Sequence, residues 1–398
     1  MIKIALVIPT FPTGGGVPAV GRFLYNVIQQ SDKYEADIIS LSGHYKDSNN
    51  VRITKPISWM RGIRVTKSEH LGIPYAHYGT KFPELPKQTF LPRVSLTEHL
   101  NTYDLIQIVA GSPAWGMIAK HVVKPVAIQV ATLIQVEREK KIKSRNGFRK
   151  VYQKFATNSI ETLEKKALKY VDHIFVENSW MFTEMTNRVG GDKVTFAPPG
   201  VDTNLFHPST KGKVTSSYLL SVGRFSDPRK NVRLLFQTFN KLKSLMPNPP
   251  RLVLAGKSGP TAKDMEYAKS LNIFDDIEIK LDINNAELIS LYQGSELFLL
   301  SSDEEGFGMV IMEAMACGIP VIATDCGGPS TLISNSKDGF LVPIGDAKAL
   351  AKRTHELLSN NEMKQRFSIQ ARKKVLDRFS AEKTGKLFLD VYNSLIDD

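Results

Sequence analysis

Short apolar segments alternate with amphipathic segments along both halves of the chain, and this alternation constrains the fold more than any other feature. Short apolar runs predict buried strands, whereas helical periodicity predicts helices. Strands that alternate with helices usually form a mostly parallel sheet. The predicted strands are residues 2–9, 36–41, 105–109, 126–130 and 173–176 in the first half, and 218–222, 251–255, 277–280, 297–300 and 320–323 in the second.

The alternation is interrupted at residues 197–208, where APPGVDTNLFHP contains three prolines and a glycine. Such residues mark turns and linkers. A chain of 398 residues also exceeds the usual size of one hydrophobic core. We therefore predict two doubly wound α/β domains, at residues 1–200 and 209–380, and a last helix at about 381–398 that can pack back on the first domain.

The composition favours a globular protein in a reducing compartment. Hydrophobic residues make up 42% of the chain, and its two cysteines, Cys317 and Cys326, are too few for a disulfide framework. Pro9 and Pro12 interrupt the apolar start, and no apolar run reaches the roughly 20 residues that span a bilayer. We expect a cytoplasmic protein, either free or peripheral on the inner face of the membrane.

Positive charge is concentrated in the first half, which has 27 Lys and Arg against 16 Asp and Glu, whereas residues 201–398 have 25 against 24. This asymmetry predicts either an anionic membrane surface or a polyanionic glycan as partner, with a solvated helix face as an equal alternative. Nucleic acid is not an expected partner, because no nucleic-acid-binding motif is present. The charge is densest at residues 138–154, here called the basic segment, with Arg138, Lys140, Lys141, Lys143, Arg145, Arg149, Lys150 and Lys154.

Two glutamates and two glycines form the densest functional pattern, in SSDEEGFGMVIMEAMACGIPVIAT. Gly306 and Gly308 predict a tight loop before a helix that starts near Met309, and the backbone N–H groups of such a helix bind anions. Glu313 would lie about one turn inside that helix, within reach of a ribose diol. Glu305 would hold a sugar hydroxyl or face a developing positive charge. The alternative is an ordinary turn with solvated acids.

A second pattern, SVGRFSDPRKN, places Arg224 at the end of a predicted strand and Lys230 just before a helix. Both cations can converge on one phosphate and stabilise the charge of a departing diphosphate. The chain has no Asp-x-Asp pair to bind a divalent cation through that diphosphate, which favours a metal-free site. The alternative is a pair of surface charges.

A third pattern, PTFPTGGGVPAV, follows the first predicted strand and lets the backbone approach a phosphate or sugar. Gly14, Gly16 and Ala19 also satisfy the dinucleotide fingerprint G-x-G-x-x-G/A. A nicotinamide site is disfavoured, because the glycines lie beyond the strand end and the second strand ends in ISLSGH without a ribose-binding acid. A flexible loop is the remaining alternative.

Together, EGFGMVIMEAMACGIPVIAT, GRFSDPRKN, PPGVDTNLF and the glycine loop resemble the retaining glycosyltransferases of family 4. The resemblance covers most of the chain and is strongest from Ser221 onward. It implies the GT-B fold, in which two Rossmann-like domains face each other across the cleft that holds the active site. It also implies metal-independent transfer of a hexose-type sugar from a UDP-sugar or GDP-sugar to a glycan or a lipid-linked acceptor.

The resemblance also assigns roles to individual residues. Arg224 and Lys230 would contact the donor diphosphate, and Glu305 the transferred sugar. The remaining donor-binding residues would be Gly15 and Gly16 at the diphosphate and sugar, Gly256 and Leu281 at the base, Gly306, Phe307 and Gly308 in the loop, Met309 and Val310 at the phosphate through their N–H groups, and Glu313 at the ribose.

One position departs from the family pattern, in which a histidine commonly follows the strand that here reads PVAIQVATLIQ. Ala131 or Thr132 occupies that place. Either Gln129, Thr132 or a backbone group therefore takes over the histidine's role, or the donor is bound differently.

The expected reaction is a front-face displacement, in which the leaving phosphate takes the proton from the acceptor hydroxyl. A double displacement with Glu305 as nucleophile is the competing route. A sugar-nucleotide epimerase of the same fold is the nearest alternative function, and a scaffold protein is less favoured, because the charged and glycine-rich patterns all fall at predicted strand ends.

Overall fold

The computed structural model describes residues 1–12, 15–143, 146–210 and 217–397, without the side chains of Lys140 and Lys141. The chain forms two compact units: unit 1 comprises residues 1–199 and 384–398, and unit 2 comprises residues 200–383. Unit 2 therefore starts before the predicted residue 209. The reason is that Arg372 donates hydrogen bonds to the carbonyls of Phe206, at 2.8 Å, and Thr203, at 3.0 Å.

Unit 1 is built on an eight-stranded sheet with the order β3-β4-β2-β1-β5-β6-β7-β8. All neighbouring strands are parallel except β3 and β4, which form an antiparallel pair. Sequence patterns did not predict β3, β4 or β8. The strands are β1 (Ile2–Pro9), β2 (Tyr34–Leu41), β3 (Val65–His70), β4 (Ile73–Tyr78), β5 (Leu105–Ala110), β6 (Val126–Val130), β7 (His173–Val176) and β8 (Val194–Phe196).

Helices cover both faces of this sheet, so its central strands are almost completely buried. They are α1 (Gly16–Gln29), α2 (Ile57–Arg61), α3 (Val94–Leu100), α4 (Ile134–Lys143), α5 (Gly147–Ala167) and α6 (Ser179–Val189), with 3₁₀ helices at Gln88–Phe90, Pro113–Ala119 and Gly191–Lys193. No helix among the described residues is both long and apolar enough to cross a membrane.

Unit 2 contains a six-stranded parallel sheet with the order β11-β10-β9-β12-β13-β14. Its strands are β9 (Tyr218–Arg224), β10 (Arg251–Ser258), β11 (Ile277–Leu281), β12 (Leu297–Leu300), β13 (Val321–Thr324) and β14 (Gly339–Val342). Its helices are α7 (Val232–Leu245), α8 (Ala262–Ser270), α9 (Asn285–Gly294), α10 (Met309–Ala316), α11 (Pro329–Leu332), α12 (Ala347–Ser359) and α13 (Asn361–Arg378), with 3₁₀ helices at Pro228–Lys230 and Phe274–Asp276.

The last helix, α14 (Ala381–Asp397), runs from unit 2 into unit 1. In unit 1, the ring of Phe388 lies 4.4 Å from that of Phe175 on β7. The Tyr392 hydroxyl donates a hydrogen bond of 2.9 Å to the side chain of Gln107 on β5. Both contacts join the end of the chain to the first sheet.

Each sheet has one point at which the strand order reverses: between β1 and β5 in unit 1, and between β9 and β12 in unit 2. At such a point the connections leave towards opposite faces, and a crevice opens outside the carboxyl ends of the strands. The segments that follow β9 and β12 therefore lie beside each other in unit 2.

Candidate donor-binding site

Lys230 and Glu305 meet at the reversal point of unit 2. Lys230 ends the 3₁₀ helix that follows β9, and Glu305 lies in the loop after β12. The Lys230 Nζ atom contacts the Glu305 Oε1 atom, and the side chains are only 18% and 13% exposed. Ser301, also in the loop after β12, donates a hydrogen bond of 2.8 Å to the Lys230 carbonyl. The two loops thus hold a lysine and a glutamate together with little access to water.

Arg224 is the last residue of β9 and is more exposed than Lys230. Its Nη2 atom lies 3.6 Å from the Asp227 carboxylate, and the arginine side chain is 43% exposed. Arg229 binds the same carboxylate at 2.8 Å. Burial raises the pKa of Asp227, but the hydrogen bonds of Arg229 and the charges of Arg229 and Arg224 lower it by more. The pKa of Asp227 therefore lies below its usual value. The backbone of Arg224 is therefore held at the end of β9, whereas its side chain is partly exposed to solvent.

The loop that carries Glu305 is fixed by hydrogen bonds on both sides. The Ser302 hydroxyl donates a bond of 2.7 Å to Glu305 Oε1, and the Gly328 N–H donates a bond of 2.9 Å to the Glu305 carbonyl. Burial, with a smaller contribution from Glu305, raises the pKa of the neighbouring Cys326 to about 12, so this thiol is protonated at neutral pH. In the described part of the chain, no three His, Cys, Asp or Glu side chains are grouped so that they could hold a metal ion.

Gly308 directly precedes α10 and has a backbone φ of 100°, a region that favours glycine. The N–H groups of Met309 and Val310 belong to the first turn of this helix, where no carbonyl of the helix can accept them. They form a positive end that suits an anion. Phe307 is only 3% exposed, and its ring lies 6.0 Å from Phe379. Its side chain therefore packs in the core.

Glu313 projects from α10 towards a buried tyrosine. The Tyr292 hydroxyl donates a hydrogen bond of 2.7 Å to Glu313 Oε2. Burial and the Glu313 carboxylate raise the pKa of Tyr292 well above its usual value, so the hydroxyl keeps its proton and orients the carboxylate. Sequence analysis did not identify Tyr292, since a tyrosine in an amphipathic helix is indistinguishable there from other core residues.

Gly256 and Leu281 pair across β10 and β11. An added Cβ atom at Gly256 would lie 2.0 Å from the Gly223 carbonyl oxygen, so only glycine fits beside β9. Leu281 is 45% exposed. It lines an open groove of about 660 Å³ along β11 and α9, together with Ile283 and Leu291.

The remaining predicted donor-binding residues, Gly15 and Gly16, belong to unit 1 at the start of α1, and Gly14 lies outside the described residues. A Cβ atom added at Gly16 would meet no atom of the described chain within 4 Å. Packing therefore does not require this glycine. The structure brings Lys230, Glu305 and the start of α10 together in unit 2, whereas the glycine loop lies at the carboxyl end of β1 in unit 1.

The basic segment spans the end of α4 and the start of α5. Arg145 and the side chains of Lys140 and Lys141 lie outside the described residues. Four bulky side chains on α5 follow helical spacing and are strongly exposed: Phe148 at 83%, Val151 at 66%, Tyr152 at 46% and Phe155 at 67%. Together they form an apolar face on α5, and Arg149, Lys150 and Lys154 lie in the same turns.

Comparison with known proteins agrees with this geometry. Residues 202–374 match the family model described as "Glycosyl transferases group 1". The solved sucrose-phosphate synthase of Thermosynechococcus elongatus has a TM-score of 0.76 with 20% identity and covers 100% of both chains. The expected GT-B fold is confirmed, and the family-model match supports the resemblance to family 4 glycosyltransferases. Anabaena HepE, solved in complex with UDP-glucose, has a TM-score of 0.71 at 15% identity, covers 99% of this chain and 100% of HepE, and supports the same fold.

Among the curated relatives, N-acetyl-alpha-D-glucosaminyl L-malate synthase of Bacillus anthracis is 32% identical over 171 residues. That match covers 42% of this chain and 43% of the relative. A probable sucrose-phosphate synthase of Thermosipho melanesiensis is 30% identical over 215 residues, which is 50% of this chain and 47% of the relative. The chain thus spans about half the length of the curated relatives it matches.

Proposed function

We propose that this protein is a retaining, metal-independent glycosyltransferase that moves a hexose-type sugar from a nucleotide diphosphate sugar to a glycan or lipid-linked acceptor. The donor would be a UDP-sugar or a GDP-sugar, and the product would belong to a cell-surface polysaccharide or a glycolipid. The observation that carries the proposal is the shielded contact between Lys230 and Glu305 at the reversal point of the second sheet, next to the start of α10.

The charges around this contact suit a departing diphosphate. Lys230, Arg224 and the first N–H groups of α10 supply positive charge at the carboxyl edge of the second sheet, which favours an anion there. Low exposure of Lys230 strengthens its electrostatic effect, since less water screens it. These groups would stabilise the charge that develops on the phosphate as the glycosidic bond breaks.

The proton of the acceptor hydroxyl would pass to the leaving phosphate, so no strong protein base is required. Glu305 fits this route better than the role of nucleophile, because its Oε1 atom already binds both Lys230 and Ser302. Hydrogen bonds to a carboxylate stabilise its charge and weaken its attack on carbon. Detection of a covalent glycosyl adduct on Glu305 by mass spectrometry would replace this mechanism with a double displacement.

The experiment that tests the proposed activity is a thermal-shift screen with UDP, GDP and ADP, their sugars, and the matching monophosphates. A ligand that binds only the native state raises the melting temperature. We expect one diphosphate and its sugar to raise it, and the monophosphate to act more weakly. No shift with any nucleotide at millimolar concentration would contradict the proposal.

Analysis of the products separates the transferase from the epimerase. With the donor and an acceptor mixture, the transferase releases nucleoside diphosphate together with a glycosylated acceptor. With the donor alone, an epimerase would convert the sugar without a second substrate, and that result would favour the alternative function.

The apolar face of α5 supports peripheral attachment to the cytoplasmic face of a membrane that presents a lipid-linked acceptor. Phe148 and Phe155 expose most of their surface, and Arg149, Lys150 and Lys154 lie beside them in the sequence. Aromatic side chains combined with lysine and arginine are typical of helices that lie in the interface of an anionic bilayer.

Vesicle flotation tests this attachment. We expect the protein to float with phosphatidylglycerol vesicles and not with neutral phosphatidylcholine vesicles. A double variant, Phe148→Ser with Phe155→Ser, should lose flotation, whereas Ile369→Ser on α13, where the isoleucine is 65% exposed, is a matched apolar surface control. Equal flotation of wild type and double variant would contradict the role of the apolar face.

A further inference from the structure

The short helix α2 exposes three large apolar side chains to solvent. Met60 is 94% exposed, Ile57 is 82% exposed and Trp59 is 53% exposed. Ile57 and Met60 are three residues apart in the helix and therefore share one face. We call the three residues together the α2 tip. Single exposed apolar residues are normal on protein surfaces, whereas a group of them marks a site of interaction.

Contacts on the inner side of α2 hold the tip in this exposed position. Ser58 is 5% exposed, and its hydroxyl oxygen accepts a hydrogen bond of 2.8 Å from the Arg52 N–H group. The Trp59 Nε1 atom donates a hydrogen bond of 2.7 Å to the Arg52 carbonyl. The Trp59 ring also packs edge-on against Phe82, with 5.7 Å between the ring centroids. Because Ser58 faces the interior, the opposite face of α2 with Met60 faces solvent.

Positive charge surrounds the α2 tip. Lys55 and Arg61, which flank it in the sequence, are both exposed. Arg61 Nη2 donates a hydrogen bond of 2.7 Å to the Ser48 carbonyl, so this contact leaves the positive charge of Arg61 in place. Residues 43–64, which connect β2 to β3, contain one acid, Asp47, and five basic residues: Lys46, Arg52, Lys55, Arg61 and Arg64. An anionic partner therefore complements this surface.

The chemistry of the tip fits the interface of an anionic bilayer better than a glycan or a protein. Ile57 and Met60 gain most from contact with hydrocarbon, and tryptophan is enriched where lipid meets water. The single N–H donor of the Trp59 ring is already bonded to Arg52, so it does not serve a sugar hydroxyl. Lysine is depleted in protein interfaces, whereas lysine and arginine beside apolar side chains bind anionic lipid head groups.

The α2 tip lies in a segment that begins and ends at the carboxyl edge of the first sheet. This segment follows the end of β2 and leads to Val65, the first residue of β3. Val65 pairs with Tyr78 at the end of β4, which runs parallel to β2. The glycine loop leaves the same edge after β1, the direct neighbour of β2. A bilayer that binds the tip is therefore met by the edge that carries the glycine loop.

We propose that Ile57, Trp59 and Met60 form a membrane contact that inserts into the interface of an anionic bilayer, in addition to the apolar face of α5. The contact brings the carboxyl edge of the first sheet to the lipid surface, where a lipid-linked acceptor is presented. This role rests on the proposed function, which supplies the acceptor.

Tryptophan fluorescence tests insertion of the tip directly. The probe is a vesicle of phosphatidylglycerol mixed with phosphatidylcholine that is brominated on its acyl chains, because bromine quenches a tryptophan that reaches the chains. The protein has three tryptophans, Trp59, Trp115 and Trp180. We expect quenching in the wild type and its loss in Trp59→Phe. Equal quenching in both would show that Trp59 does not insert and would contradict the proposal.

Vesicle sedimentation measures how much the tip contributes to binding. A double variant, Ile57→Ser with Met60→Ser, should lower partitioning onto phosphatidylglycerol vesicles about tenfold, because two exposed apolar side chains no longer enter the bilayer. Its melting temperature should match that of the wild type, since both side chains are exposed in the folded state. Ile369→Ser on α13 is the control and should partition like the wild type. Unchanged partitioning of the double variant would overturn the proposal.

Two other results would also overturn it. If the wild type does not bind anionic vesicles at physiological salt, the tip is not a membrane contact. If the wild type forms a dimer by light scattering and the double variant is a monomer, the tip binds a second copy of the chain instead. The transferase activity is judged separately by the nucleotide thermal-shift screen, which contains no lipid. Failure of that screen and failure of vesicle binding are therefore distinguishable.

Discussion

The carboxyl edges of the two sheets differ in the charge and the pairing of their side chains. In unit 2, the residues beyond β9 and β12 are charged and paired, as in the contact of Lys230 with Glu305. In unit 1, the residues beyond β6 and β7 are mostly uncharged, and the one buried acid there, Glu177, has no partner among the described residues. A charged, partly shielded edge suits a diphosphate, whereas the edge of unit 1 buries an acid that no described residue stabilises.

Because of this difference, the side chains at the two edges affect the stability of the folded state in opposite ways. The charges of unit 2 stabilise each other, so its edge is stable before any ligand arrives. The buried acid of unit 1 destabilises the folded state until hydrogen bonds are supplied. Removal of a charged residue at the edge of unit 2 should therefore lower activity, and removal of the buried acid of unit 1 should raise stability.

The largest expected effect is on the charged edge of unit 2. Lys230→Ala should lower kcat by about a hundredfold, on the order of 3 kcal/mol of transition-state stabilisation, because the departing diphosphate loses a shielded cation. Steady-state release of nucleoside diphosphate measures this. Arg233→Ala is the control, since Arg233 is 50% exposed and binds Asp264. If kcat of Lys230→Ala falls by less than threefold, Lys230 does not stabilise the departing diphosphate.

The next effect is on stability and compares Gly308, which precedes α10, with Gly16, which begins α1. Gly308→Ala should lower the free energy of unfolding by about 1–3 kcal/mol, because φ at this position is 100°. Gly16→Ala should leave stability nearly unchanged, since the new Cβ atom would meet nothing within 4 Å in the described chain. Denaturant unfolding measures both. Equal losses would show that the two loops do not differ in strain.

The third effect is the pH dependence of stability caused by Glu177. Its pKa rises from the usual 4.5 to about 8 on folding, so the native state holds a proton that the unfolded state releases. Between about pH 4.5 and pH 8, the wild type should lose up to about 1.4 kcal/mol of stability per pH unit relative to Glu177→Gln. Urea unfolding at several pH values measures this difference. A constant difference would show that Glu177 titrates normally.

The smallest effect concerns the orientation of Glu313. Tyr292→Phe removes the hydrogen bond of 2.7 Å to this carboxylate and leaves the ring packing in place. We expect about 1 kcal/mol weaker binding of the nucleoside diphosphate, which is roughly fivefold in Kd. Calorimetry with the diphosphate and with the corresponding 2′-deoxynucleotide measures it. If the variant affects both ligands equally, Tyr292 does not act through the ribose.

Sequence patterns predicted the two parallel sheets because buried parallel strands are continuous apolar runs with clear ends. They did not predict β3 and β4, because Val65–His70 is mostly exposed and Ile73–Tyr78 is mostly half-buried, so neither segment is a continuous apolar run. The contact of Lys230 with Glu305 joins residues 75 positions apart, so it depends on strand order and could not be read from spacing. The lack of a partner for Glu177 among the described residues could not be predicted from the sequence either, because it depends on which side chains surround Glu177 in the fold.

The most direct test of the account is the affinity of the nucleoside diphosphate relative to its monophosphate, measured by calorimetry in the wild type and in Lys230→Ala. The wild type should bind the diphosphate at least tenfold more tightly, and the variant should lose most of that preference while binding the monophosphate almost as before. A preference that is unchanged in the variant would contradict the assignment of Lys230 to the diphosphate and, with it, the proposed mechanism.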